Sequence, residues 1–259
     1  MKKNIKNQFP IFQQKINDHS LIYFDSASTS QMPHQVIDAI ASYYESYKSN
    51  VGRGIYHFAE AATQRYEDAR KTVAQLINAE TSETIFTSGT TAGINMVAQS
   101  WARDNLQAGD EIVISDVEHH SNFLPWQQLS EEKNLVLKVV TVNDRGVIDV
   151  ETFSSYLSEK TKLVAIVYVS NLLGTTNDVQ KITEQAHAVG ARVLIDAAQA
   201  VVHKKIDVKK IDCDFLVFSG HKLFGPTGVG VLYASSNVQS TMKPCSFGGG
   251  MVYSVTTQG

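Results

Sequence analysis

Cysteine is nearly absent: Cys213 and Cys245 are the only two in 259 residues, which excludes a disulfide framework and the small stapled folds that depend on one. Long apolar runs are missing too, so no segment has the length of a bilayer span and no membrane partner is expected. Neither sign of charge dominates. Lys and Arg number 23 against 26 Asp and Glu, for a net charge of -3, and the basic residues are scattered rather than gathered in a stripe, which argues against nucleic acid as a partner. The opening MKKNIKNQFPIFQQKIND carries charge but lacks the apolar centre of a signal peptide, so a cytoplasmic location is expected. Repeats and low-complexity tracts are also missing.

What is there is an ordinary globular composition, 43% hydrophobic and 19% charged, enough to enclose one sizeable core. Strand-like and helix-like stretches alternate from about residue 21 onward, the mark of an α/β layer structure. The segment LIYFDSA reads as a first short strand. Pro33 then stands at a first helical position, with Val36, Ile37, Ile40, Tyr43, Tyr44 and Tyr47 at helical spacing. A helix over 59–78 is expected to turn Tyr66, Ala69, Val73, Leu76 and Ile77 inward. ETIFTS, DEIVIS, LVLKVVTV, KLVAIVYVS, ARVLIDA and DFLVFS follow as strands, several almost wholly apolar, as strands covered on both faces should be. Helices are expected between them over 91–103, 124–133 and 179–189, the last closed by Gly190. The tail KPCSFGGGMVYSVTTQG is rich in Gly, Ser and Thr, and the chain reads as unfinished.

In open α/β sheets ligands gather at the carboxyl ends of strands, so polar residues placed directly after apolar runs are the candidates for chemistry. SGTTAGIN places Thr90 and Thr91 at a helix start, a cradle for phosphate or simply a helix cap. It is not a Walker loop, because no Gly-Lys-Ser/Thr follows. RVLIDAAQA ends on Asp196, with Gln199 three residues on; a carboxylate there either meets a cation such as a protonated pyridine nitrogen or caps the next turn. DFLVFSGHKLFGPTGVG delivers Ser219, His221 and Lys222 into a Gly-rich loop, where the lysine either serves chemistry or reaches out to solvent. DVEHHSNF carries His119 and His120, which lack further ligands at metal spacing; an imidazole could stack on a flat ring or make structural hydrogen bonds. No metal is expected.

The order and spacing of these segments resemble the class-V aminotransferase family of pyridoxal-phosphate (PLP) enzymes, and within it the cysteine desulfurases, cysteine sulfinate desulfinases and selenocysteine lyases. The likeness runs from DSAST near residue 25 to FGGG near residue 250, and SGHKLFGPTGVG is highly specific for that group. The resemblance implies a PLP-dependent transferase fold of type I: a mostly parallel mixed sheet flanked by helices as a large domain over residues 21–259, after an N-terminal segment of residues 1–20, with the family's small C-terminal domain missing.

It also implies roles. Lys222 would hold PLP through its amine and later move protons at the substrate α-carbon. Asp196 would keep the pyridine nitrogen protonated, Gln199 would bond the ring's phenolic oxygen, and His119 would stack on the ring and assist proton transfer. Thr90, Thr91, Ser219 and His221 would form the phosphate cup, and Asn171 in VSNLLGT would contact the substrate carboxylate or a cofactor oxygen. The implied reaction converts cysteine to alanine and leaves a persulfide on a protein thiolate, with a protein sulfur acceptor, a homodimer, and a place in sulfur metabolism and iron–sulfur cluster assembly.

The chain departs from the pattern in several places. The family's nucleophilic cysteine and carboxylate-gripping arginine lie in the portion expected beyond this chain. Cys213 reads as core and Cys245 matches no nucleophile position. Relatives commonly have histidine in place of Gly52 in NVGRG. Two explanations fit the short chain: a fragment or truncated product, or one that works with a separate chain. The alternatives kept open are another class-V enzyme, such as a kynureninase or an epimerase, and a non-catalytic PLP-binding subunit. A nicotinamide enzyme is disfavoured, since no GxGxxG follows the first strand.

Overall fold

A computed structural model describes residues 5–249. After a two-stranded hairpin, β1 (Lys15–Ile16) and β2 (His19–Ser20), a single sheet organises the chain. Its strands are β3 (Thr84–Thr87), β4 (Glu111–Ser115), β5 (Val136–Val140), β6 (Thr161–Val167), β7 (Arg192–Asp196), β8 (Phe215–Ser219) and β9 (Gly230–Ala234), in the order β3-β9-β8-β7-β6-β4-β5. β4 through β8 pair in parallel, while β9 runs antiparallel between β8 and β3. This is the mostly parallel mixed sheet expected from the sequence.

The apolar character of β4, β6, β7 and β8 follows from their place. Helices cover both faces, so each residue must be apolar whichever way it points. Val113, Val164, Val193, Ile195 and Leu216 enter one layer, against Ile182 and Ala186 of helix Val179–Ala188. Ile112, Ile114, Leu194, Phe215 and Val217 enter the other, against Ile94, Trp101 and Trp126. Burying one such side chain stabilises by roughly 1.5–3 kcal/mol. Pairing of parallel neighbours aligns their carboxyl ends along one edge, and that edge carries the site.

Three expectations need correction. The segment at residues 21–27 forms no strand: Ile22 and Phe24 are 73% and 95% exposed, and the chain there runs along the site edge as a strap whose Tyr23 hydroxyl donates to the Thr29 carbonyl at 2.8 Å. Apolar residues make a strand only where an edge pairs with them. β9 was not anticipated, because the glycines of GPTGVG read as loop; Gly230 in fact sits in register between Thr87 and Ser219. Third, helix α1 (His34–Ser42) is followed by α2 (His57–Leu76), whose buried residues are Ala59, Ala62 and Ala74; of the residues expected to face inward, Ile77 is buried and Val73 packs on the core, while Tyr66, Ala69 and Leu76 are exposed. The small alanines allow close approach to the sheet margin. Tyr66 instead meets Phe86 edge-on at 5.2 Å under the Arg70 guanidinium.

The helix expected over 91–103 begins one residue earlier, as α3 (Thr90–Val97), and continues through a π turn at Ala98–Ala102. Helices Leu124–Lys133 and Val179–Ala188 fall where expected, and Gly190 adopts a positive φ of 82° after the latter. Among the described residues no helix is long and apolar enough to cross a membrane. Residues 250–259, the end of the Gly/Ser/Thr-rich tail, lie outside the described residues.

Candidate active site

β3, β4, β6, β7 and β8 end on the same edge of the sheet, and the residues just beyond them surround a cavity of about 430 Å³, within the range that accommodates a small cofactor. Thr90, Thr91, His119, Asn171, Asp196, Gln199, Ser219, His221 and Lys222 all line it. Every site residue expected from the sequence therefore lines one cavity.

One end of the cavity is rich in hydroxyls and helix-start N–H groups. The Thr90 backbone N–H donates to Ser219 Oγ at 2.8 Å, and the Thr90 and Ser219 hydroxyls are 2.7 Å apart. Thr91 and Ser121 pair their hydroxyls at the same distance, 2.7 Å. A helix start presents unpaired backbone donors and a partial positive charge, so this end suits a dianion such as phosphate. Gly89, the residue before α3, has φ of 152°. Its Cα would lie 2.4 Å from any Cβ at Gly230, so the cradle closes only because β9 begins with a glycine.

The deep wall carries a carboxylate. Asp196 is 2% exposed, and one of its oxygens accepts from the Ala198 N–H at 2.9 Å. Burial pushes its pKa up, against the Ala198 hydrogen bond and the positive charges of Lys222 and His119. A carboxylate this deep calls for a cation or strong donor within the cavity. With hydroxyls at one end and a buried acid elsewhere on the wall, the residues fit a flat ring that carries a phosphate and a protonated nitrogen.

Lys222 follows β8 on a 3₁₀ turn, Gly220–Lys222. It is half-buried, and among the described residues no carboxylate lies within ion-pairing distance of its amine. The neighbouring His221 has its pKa lowered by burial and by the Lys222 charge. His119 is oriented by its own turn: the Ser121 N–H donates to His119 Nδ1 at 3.1 Å, which places the proton of the neutral ring on Nε2. Gln199 donates through Nε2 to the Ala27 carbonyl at 2.6 Å.

Several wall residues escaped sequence reasoning. Ala27 and Ser28 belong to the strap of residues 21–30, and Ser121 follows the histidine pair. DSAST marked the strap's position without revealing that it crosses the cavity. A second concavity of about 450 Å³ adjoins the first through Asn171 and Gln199 and adds His203 and Lys204. Behind His119 lies a buried Glu118, for which the only sequence signal was its place before two histidines. The cysteines stay apart: Cys213 is buried, which pushes its thiol pKa far up, and Cys245 is exposed. Neither lines the cavity.

Residues 22–259 match the family described as aminotransferase class-V. The chain is similar to a probable cysteine desulfurase of Halalkalibacterium halodurans, 49% identical over 249 residues, covering 96% of this chain and 61% of that protein. A cysteine desulfurase of Synechococcus elongatus is 46% identical over 253 residues, covering 97% of this chain and 40% of the relative. Among solved structures, the apo cysteine desulfurase from Thermococcus onnurineus superimposes with a TM-score of 0.93 at 36% identity, covering 100% of this chain and 63% of the other. The cysteine desulfurase CsdA from Escherichia coli, in an S-sulfonic acid form, gives 0.90 at 39% identity, covering 98% and 63%. The chain thus spans about two fifths to three fifths of the length of the relatives it matches.

Proposed function

The chain belongs to the class-V aminotransferase family, and from this we infer that its cavity holds pyridoxal phosphate and serves the conversion of cysteine to alanine. The observation that carries the reading is the convergence of Lys222, Asp196 and the Thr90–Ser219 cradle on one cavity. Residues 21–259 act as one cofactor-binding domain.

PLP supplies an aldehyde that captures amines and a ring that, once protonated, withdraws electrons from the substrate α-carbon. The chain's residues do the rest. Thr90, Thr91, Ser219 and His221 bind the phosphate. Asp196 would hold the proton on the ring nitrogen, His119 would stack on the ring, and Gln199 would bond the ring oxygen. Lys222 is the residue that would hold the cofactor's aldehyde carbon through its amine and that would carry a proton at the substrate α-carbon. Asn171 grips the substrate carboxylate or a cofactor oxygen.

In net terms, cysteine plus a thiol gives alanine plus the thiol's persulfide: the carbon–sulfur bond breaks, a sulfur–sulfur bond forms, and carbon takes a proton. The names of the relatives support cysteine as substrate. We extend the reading to a cytoplasmic homodimer that passes sulfur to an acceptor protein, as iron–sulfur cluster assembly requires.

A second reading, a PLP-binding chain that makes no alanine, is favoured by one observation: neither cysteine lines the cavity. A single experiment separates them. PLP is added to the purified chain, the visible absorption band is recorded, borohydride traps the attached amine for peptide mapping, and alanine and sulfide are assayed with cysteine. Trapping at Lys222 with alanine formed supports the leading reading, and trapping without alanine supports the second. Attachment at another lysine overturns both.

A further inference from the structure

We propose that Glu118 is a positioning residue for this site: buried behind the wall, it locks the turn that bears His119 onto the carboxyl ends of β4 and β6. The proposal rests on reading the cavity as a PLP site, because it assigns Glu118 the task of holding His119 over the ring.

Glu118 is nearly fully buried, and its carboxyl is shared among three elements. Oε1 accepts from Ser115 Oγ at the end of β4, at 2.5 Å, and from the Val167 N–H at the end of β6, at 2.9 Å. Oε2 accepts from Asn122 Nδ2 at 2.7 Å. Asn122 is itself 0% exposed; its Oδ1 accepts from Trp126 Nε1 at 3.0 Å and its backbone N–H donates to the His119 carbonyl at 2.7 Å. A continuous path therefore runs from Glu118 through Asn122 to the His120–Asn122 turn, whose Ser121 N–H orients the His119 ring.

The other branch leads to the acid. Val167 lines the cavity and pairs in register with Asp196 on β7. One carboxyl thus fixes His119 relative to the strand pair that presents Asp196. Fully satisfied buried polar groups confer rigidity that apolar packing lacks. Burial raises the Glu118 pKa to about 8, against the Ser115, Asn122 and Val167 hydrogen bonds, which favour the carboxylate that accepts them.

Glu118→Gln is the deciding variant. Its amide retains an acceptor for Ser115 and Val167 but turns a donor toward Asn122 Nδ2. A flip of Asn122 would only move the conflict, setting an NH₂ against Trp126 Nε1–H. Glu111→Gln is the control, since Glu111 anchors the opposite end of the same strand, accepting from Lys138, Ser158 and Thr161.

The test measures amide hydrogen exchange on the full chain without added PLP, then PLP affinity and the position of the visible band. In Glu118→Gln, exchange at residues 119–123 is expected to speed up about tenfold and PLP binding to weaken by a similar factor, the scale of one frustrated buried polar group. Glu118→Ala should exceed both effects. Glu111→Gln should lower the unfolding midpoint while leaving the loop and the band unchanged. Exchange within twofold of wild type in Glu118→Gln, or equal loosening by Glu111→Gln, overturns the proposal. Wild-type chain that binds no PLP refutes the cofactor reading alone, and the exchange measurement still decides the role of Glu118.

Discussion

Ser30 and His221 are joined by two hydrogen bonds: the Ser30 hydroxyl donates to the His221 carbonyl at 2.8 Å and the Ser30 N–H donates to the same oxygen at 2.9 Å. The Phe224 N–H in turn donates to Ser30 Oγ at 2.7 Å. One serine on the strap therefore bridges both sides of Lys222, next to a Phe224 held at φ of 61°. Ser30→Ala removes a donor and an acceptor together. It is expected to cost about 1–2 kcal/mol and to release the Lys222 turn, seen as a lowered urea midpoint with faster loss of PLP on dilution.

Lys222→Ala should leave the fold intact, because among the described residues the amine makes no ion pair. The unfolding free energy should change by less than about 1 kcal/mol. The visible band on addition of PLP should vanish, and a band of wild-type intensity would remove Lys222 from its role.

Much of this arrangement was legible in the sequence, for a physical reason. Parallel strands covered on both faces must be almost wholly apolar, so Asp196 after RVLI and Lys222 after DFLVFSGH announce themselves as charges delivered to a strand end. Residues acting across long chain separations were not legible. Ser30 meets His221 across 191 positions, and Glu118 is buried only because β4 and β6 converge on it. β9 was hidden by the glycines that let it approach Gly89, and the strap at 21–27 carried strand-like residues without an edge to pair with.

The Gly89–Gly230 contact makes its own prediction. A Cβ at position 230 would stand 2.4 Å from Gly89 Cα and 2.7 Å from Gly89 N, and both are backbone atoms that no rotamer change can move. Gly230→Ala should force β3 and β9 apart at the phosphate cradle. The expected cost is about 1–3 kcal/mol, with PLP affinity falling more than stability alone explains. Equilibrium titration with PLP alongside thermal unfolding measures both.

At the other end of the sheet, Asp214 gathers the Val193 N–H at 2.8 Å, Arg192 at 2.9 Å and His187 at 3.0 Å. Asp214→Ala leaves the buried Val193 N–H without its acceptor and takes one from Arg192 and from His187, which keeps Asp212 at 3.5 Å, a loss of about 1–3 kcal/mol. The Asp214 hydrogen bond raises the His187 pKa despite desolvation, with the Asp214 and Asp212 charges adding to it. That stabilisation is complete below the unfolded value and fades as pH rises through the native one. An NMR titration of His187 should show its pKa falling in the variant.

The two buried carboxyls near the cavity give the opposite lesson about site and stability. Burial raises Glu118 from 4.5 to about 8 and raises Asp196 as well. The folded chain therefore binds protons that the unfolded chain releases, and this contribution to stability is complete below about pH 4, where both unfolded acids are protonated. For Glu118 it is lost progressively as pH rises toward 8, and for Asp196 as pH rises through its raised native value. The groups facing Glu118 are Ser115, Asn122, the Val167 N–H and Asp196; the first three donate hydrogen bonds that favour the carboxylate and offset part of the rise caused by burial and the Asp196 charge. Glu118→Gln should flatten the decline in unfolding free energy between pH 5 and pH 8 when measured without added PLP, and Asp196→Asn should remove the part of the decline that lies above the ordinary Asp range. PLP should reverse it selectively, since a protonated ring nitrogen would give Asp196 a cation in addition to Lys222 and His119, while Glu118 gains none. The pH dependence of Asp196→Asn should thus be nearly the same with and without PLP, and that of Glu118→Gln should still respond to it. A wild-type stability curve that is flat from pH 5 to 8 would count against a Glu118 carboxyl whose pKa the fold raises to about 8.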